Sequence, residues 1–181
     1  ASPKVGEYAV VYGVGGVGFA LIQYNKLVGA KVIAIGRRDE KLRVAKELGA
    51  DYVVNAARED VVKSVLNITN GRGADIVYEL VGSKETFSNS VKMLAKKGRI
   101  VVIGYTGELA NVNPLDLVVK EATIIGSVGN TLQELVEAVN LVAEGKIRII
   151  VDEVAPLERI NEVLEKLRRG AVIGRAVIKP H

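Results

Sequence analysis

One hexapeptide constrains this chain more than anything else in it. Between the β-branched run Tyr8-Ala9-Val10-Val11-Tyr12 and a segment of helical periodicity lies Gly13-Val14-Gly15-Gly16-Val17-Gly18, a complete G-x-G-x-x-G. Glycine in a helix or strand costs about 0.5–1 kcal/mol against alanine, so three at these offsets call for a reason. A strand turning sharply into a helix supplies one. Gly13 permits the tight turn, Gly15 keeps side chains away from an approaching diphosphate, and Gly18 lets the helix pack against the sheet. The amides of Gly16 and Val17, reinforced by the helix dipole, then face the phosphates. No Gly-Lys-Ser/Thr follows, so the loop is not a P-loop. A glycine-rich turn without a ligand is the alternative.

The rest of the chain repeats the same grammar. Apolar residues at Val17, Ala20, Leu21, Tyr24, Leu27 and Val28 form one helical stripe. Strands are expected at 31–35, 52–54, 74–78, 99–103 and 123–128, the last broken by Gly126. Helices fall between them, opened by caps at Asp39, Ser83 and Asn113-Pro114. Continuous apolar strands separated by amphipathic helices predict an α/β fold: a doubly wound six-stranded parallel sheet, the Rossmann fold, of order 3-2-1-4-5-6. Residues 1–145 form this unit. Residues 146–181 make a C-terminal segment with an apolar stretch at 147–154, a helix opened by Pro156 with Leu157, Ile160, Val163, Leu164 and Leu167 inward, and a short last strand.

Composition removes several function classes. There is no Cys and one His, His181, which takes away thiolate nucleophiles, cysteine-ligated zinc and a Ser-His-Asp triad. The net charge of +4 and an aromatic content of 4% give neither the basic stripe nor the stacking surface of a nucleic-acid binder. No apolar run reaches membrane-spanning length and the first residues carry no signal peptide, so a cytoplasmic protein is expected. Asp75, Glu79, Glu108 and Asp116 are read as surface or capping carboxylates. No catalytic and no metal-binding residue is assigned.

The end of the second strand addresses which dinucleotide fits. An NAD-type site places Asp or Glu there, on the ribose hydroxyls. This chain has Gly36-Arg37-Arg38-Asp39. A missing carboxylate removes repulsion of a 2′-phosphate, and a guanidinium binds that phosphate bidentately. NADP is therefore the expected cofactor. The alternative is NAD, with Arg37 and Arg38 solvated and Asp39 or Glu40 reaching the ribose.

The chain resembles the medium-chain dehydrogenases, the zinc alcohol dehydrogenase and quinone reductase superfamily. The likeness rests on the glycine loop together with 47–55 (Glu-Leu-Gly-Ala-Asp-Tyr-Val-Val-Asn), Val81-Gly82, 98–104 (Gly-Arg-Ile-Val-Val-Ile-Gly), Asn113-Pro114 and Ile173-Gly174-Arg175. It implies that Val81 and Gly82 line the cleft between adenosine and nicotinamide, and that Ile103, Gly104 and Tyr105 flank the nicotinamide. It implies further that the backbone of Gly126 and Val128 bonds the carboxamide, and that Arg175 pairs with the diphosphate.

The same resemblance implies an N-terminal catalytic domain, supplying zinc ligands or substrate contacts, for which these 181 residues have no counterpart. The chain is thus expected to be the coenzyme-binding part of an alcohol dehydrogenase-like oxidoreductase. It would bind dinucleotide without turnover, with zinc possible only in the catalytic domain. Tyr105 and Ser127 are the only side chains near the nicotinamide site worth testing for chemistry. Subunits of the family join through the sixth strand, so a homo-oligomer is expected. A non-catalytic dinucleotide sensor is the rival reading. A short-chain dehydrogenase is disfavoured because no Tyr has Lys four residues later.

Overall fold

The computed structural model describes residues 2–180; Ala1 and the histidine at 181 lie outside the described residues. Six parallel strands form one sheet in the order β3-β2-β1-β4-β5-β6. They are β1 (Tyr8–Tyr12), β2 (Lys31–Gly36), β3 (Tyr52–Asn55), β4 (Ala74–Glu79), β5 (Leu94–Val102) and β6 (Thr123–Gly126). Helices α1 (Gly16–Val28), α2 (Asp39–Glu47), α3 (Val61–Ile68), α4 (Lys84–Met93) and α5 (Pro114–Lys120) connect them. After β6 come α6 (Leu132–Ala143), β7 (Val151–Pro156), a 3-10 turn at Leu157–Arg159, α7 (Ile160–Arg168) and β8 (Arg175–Lys179). The strands β7 and β8 pair in parallel as a separate two-stranded sheet.

Because parallel strands bury both faces, the core divides into two clusters. On one side Phe19 and Ile22 of α1, with Leu42 and Ala45 of α2, cover Val11, Val32, Ala34 and Ile76. On the other, Val61 and Val65 of α3 and Val91 of α4 cover Val10, Ile33, Ile35, Val77 and Ile100. Because every strand pair is parallel, all six C-terminal ends open on the same edge of the sheet, where the glycine loop sits.

Several local expectations need correction. Asp39 does not cap α2: Arg38 occupies that position, and the Asp39 carboxylate accepts instead from Asn55 Nδ2 at 2.7 Å and from Arg58. β5 begins at Leu94, where α4 stops, because Ala74 pairs with Leu94 before a register shift at Ile76. β6 ends at Gly126 rather than at 128. Pro156 leads into the 3-10 turn, and α7 starts only at Ile160. Of the five apolar residues expected inward on that segment only Val163 is buried, and Leu157, Ile160, Leu164 and Leu167 are exposed. The capping expectations at Ser83 and Asn113 hold, Ser83 within a reciprocal capping box with Thr86.

A side-chain amide on α1 helps tie the C-terminal segment to the rest of the chain. Gln23 on α1 receives the Arg148 amide at 2.8 Å and donates to the Arg148 carbonyl at 3.0 Å. That pairing satisfies both backbone groups of a residue 125 positions away, and it brings Ile150 and Ile173 against the first core cluster.

Candidate functional site

The loop between β1 and α1 has the backbone a diphosphate cradle needs. Gly13 sits at φ +119°, a region that side chains rarely adopt, and a Cβ there would stand 3.0 Å from Leu80 Cβ. At Gly18 a Cβ would overlap the Gly13 carbonyl oxygen, so only hydrogen fits between loop and helix. Above Gly15 the reverse holds: nothing lies within 4 Å of the position a Cβ would take. No side chain caps α1, and the first amide of its opening turn to bond inward is Phe19, to the Gly15 carbonyl at 2.8 Å. The amides of Gly16, Val17 and Gly18 precede that bond and point outward with the positive end of the helix.

Arg175, on β8, lies across this loop. A Cβ on Gly16 would meet the Arg175 Cδ at 2.8 Å. The guanidinium has no ion-pair partner among the described residues. Together with Gly13–Gly18, Leu80, Ile103 and Gly104 it lines a cavity of about 390 Å³.

A second cavity, of about 600 Å³, shares Gly13 and Val14 with the first. Its walls include Gly36, Arg37, Arg38, Lys41, Val81 and Gly170, with Tyr12, Ser83 and Glu85 opposite. Three cations therefore gather at the end of β2. Burial pushes the Lys41 ammonium below its ordinary range, and the neighbouring Arg38 charge pushes it the same way. Arg38 also donates to the Arg169 carbonyl at the C-terminal end of α7, a favourable place for a cation. Asp39, the carboxylate nearest in sequence, is taken up by Asn55 and Arg58. Lys41 and the α7 terminus were not foreseen. Lys41 stands five residues after Gly36, in the first turn of α2, and that spacing is the available signal.

Gly82 and Gly104 are where two turns meet. A Cβ on Gly82, at φ +80°, would overlap Tyr105, and one on Gly104 would stand 2.6 Å from the Leu80 carbonyl oxygen. Their lack of side chains is thus required by packing of the β4–α4 turn on the chain after β5. Tyr105 projects outward, 86% exposed. Gly126 and Val128 line neither cavity, and Val128 is fully open at the sheet edge. The structure therefore gathers fourteen of the sixteen candidate residues along one groove, by cavity wall or by direct contact, and leaves these two beside it.

Glu79 overturns its surface assignment. It is wholly buried, and its carboxylate accepts the amides of Val81 and Gly82. Asp75 is buried enough to raise its pKa, yet hydrogen bonds from Arg72 and the Tyr8 amide outweigh burial and hold it below the usual range. Zinc finds no donor set here. The sequence has no cysteine, and no cluster of three His, Cys, Asp or Glu suited to a metal ion occurs among the described residues. Nor is any described helix long and apolar enough to cross a membrane.

The sheet order and the glycine loop at its C-terminal edge define a doubly wound α/β domain of the Rossmann type. A family model described as zinc-binding dehydrogenase matches residues 16–144, and the chain belongs to that family. An alcohol dehydrogenase of Geobacillus stearothermophilus is 39% identical over 97% of this chain, which spans 51% of that protein. The crystal structure of the alcohol dehydrogenase of the hyperthermophilic archaeon Aeropyrum pernix superposes with a TM-score of 0.93 at 40% identity, covering 99% of this chain and 52% of that one. Benzyl alcohol dehydrogenase of Acinetobacter calcoaceticus superposes at 0.90 with 30% identity, over 97% of this chain and 50% of the other. The chain spans about half the length of the curated relatives it matches.

Proposed function

We propose that this chain binds a nicotinamide dinucleotide as the coenzyme half of an alcohol dehydrogenase-like oxidoreductase. The observation that carries the reading is the pairing of outward amides at Gly16, Val17 and Gly18 with an unpaired Arg175 above them. Oriented amides and a guanidinium suit a diphosphate, which presents acceptors to both. The open space at Gly15 admits the diphosphate against the backbone.

The adenosine lies in the larger cavity, with Val81 and Arg37 on its walls. NADP is the preferred form. Arg37, Arg38 and Lys41 supply positive charge at the ribose end, and Asp39 is held away by Asn55 and Arg58. The nicotinamide end runs past Gly82, Ile103, Gly104 and Tyr105 toward the backbone of Gly126 and Val128. When bound, the nicotinamide gives or takes a hydride. The chain's own part is to bind the coenzyme, hold its diphosphate and orient the ring for an alcohol or carbonyl substrate. Residues 1–145 carry the dinucleotide and 146–181 close over it through Arg175. Any zinc is held outside these residues.

The coenzyme role is favoured over a sensing role because the superposition on the alcohol dehydrogenase of Aeropyrum pernix covers 99% of this chain, the segment that carries Arg175 and β8 with it. The free edge of β6, with Ile124 and Ile125 exposed, is the surface through which two copies join. Enhancement and blue-shift of NADPH fluorescence on titration with the chain tests the binding reading; unchanged emission at high protein concentration contradicts it.

A further inference from the structure

Glu79 is an unusual residue to find at the end of a buried strand. It has no exposed surface, and no lysine or arginine pairs with it among the described residues. Burying a carboxylate without a counter-ion is costly unless hydrogen bonds satisfy it, and an apolar side chain would end β4 without that cost. The carboxylate is held entirely by the turn it precedes. Oε1 accepts the amides of Val81 and Gly82 at 3.0 Å each, and Oε2 accepts the Gly82 amide at 2.9 Å.

The main chain of the same residue works in the opposite direction. Its carbonyl accepts the amides of both Ile103 and Gly104 at 2.9 Å, fixing the turn after β5. Those two turns are pressed together without room for a methyl group, since a Cβ on Gly82 would lie 2.6 Å from the Gly104 carbonyl carbon. On its other side the β4 turn touches the glycine loop, where Leu80 and Val81 bound the space beside Gly13. A single buried residue thus sets the height of two turns, and through them the floor of both cavities.

We propose that Glu79 is a positioning residue for the dinucleotide: its carboxylate holds the Val81–Gly82 turn in the conformation that receives the coenzyme. It touches no ligand itself. The role rests on the dinucleotide reading above, and the experiment separates the two. Binding of NADPH is measured for the native chain, Glu79→Gln and Glu79→Ala, each well below its melting midpoint. Gln keeps one acceptor for the two amides and Ala keeps none. Affinity is expected to fall by roughly fivefold in Glu79→Gln and by about thirtyfold in Glu79→Ala, graded as the hydrogen bonds are lost.

A merely structural carboxylate would lower the melting midpoint of both variants and leave their affinity at the native value, which overturns the proposal. Failure of the native chain to bind overturns the dinucleotide reading itself, together with the role derived from it. Should neither variant fold, the native chain decides through its amide resonances. Those of Val81 and Gly82 are expected to lie downfield, as charge-assisted donors do, and to shift on NADPH addition. Resonances unmoved by a saturating coenzyme would contradict the role.

Discussion

The Arg175 side chain occupies the space that a side chain on Gly16 would need: a Cβ there would lie 2.6 Å from the guanidinium carbon. Two residues 159 positions apart in sequence thus form one surface, and a side chain at position 16 would have to push the arginine off the loop. Gly16→Val is expected to displace the guanidinium, and Arg175→Ala to remove it. Both should weaken NADP and NAD alike, by about tenfold, since the diphosphate is common to the two. Side-by-side fluorescence titrations check this. A loss confined to one dinucleotide would mean that Arg175 lies elsewhere than over the diphosphate.

The three cations at the end of β2 make a selective expectation. Arg38→Ala should weaken NADP by about tenfold or more and leave NAD nearly unchanged. Gly36→Asp should weaken NADP in the same sense by placing a carboxylate against the 2′-phosphate. It also brings a Cβ into the space held by Val14, so a loss of stability of about 1 kcal/mol is expected beside the change in preference. Competition between 2′-AMP and 5′-AMP for the native site gives the same comparison without variants. Equal affinity for the two would remove the phosphate-selective role of Arg38.

Acid sensitivity follows from Asp51 and Asp75. In each, burial raises the carboxyl pKa, but the hydrogen bonds outweigh it: from Lys26 and the Val32 amide at Asp51, from Arg72 and the Tyr8 amide at Asp75. Both pKa values are therefore lower folded than unfolded. Their stabilising contribution is complete above the unfolded value, about 3.9, and is lost as pH falls through the folded one. Chemical denaturation at a series of pH values should give a stability flat in these groups from pH 7 to 5 and falling below pH 4. Asp51→Asn and Asp75→Asn should each flatten the acid limb; an unchanged limb in both variants would assign it to other carboxylates.

The β6 edge carries its own expectation. Every residue of Thr123–Gly126 is exposed, and the strand has a neighbour on one side only. Sedimentation velocity is expected to give the mass of a dimer for the native chain and of a monomer for Ile124→Lys, which puts a charge on the joining edge. A native monomer at high concentration would leave the edge without a partner of its own kind.

What was legible in the sequence, and what was not, divides along range. The β1–α1 loop, the Ser83 cap and the Asn113-Pro114 helix start were legible because each is a local backbone requirement met by adjacent residues. The strand order followed from hydrophobic runs and the topology they permit. Glu79 was misread because a carboxylate at a strand end is solvated in most settings. Its burial depends on β1 and β5 flanking it in the sheet, which no local pattern records. Arg38 reaching the Arg169 carbonyl, and Gln23 reaching Arg148, are likewise products of chain crossing rather than of neighbouring residues. The inward face expected on α7 failed for the complementary reason: periodicity shows which face is apolar, and the described residues cover only Val163 of it.

Calorimetric titration of NADP and of NAD into the 181-residue chain tests the central claim most directly. Saturable one-to-one binding of both is expected, tighter for NADP, and abolished preference without abolished binding in Arg38→Ala. Heats indistinguishable from dilution for both coenzymes would contradict the account at its base.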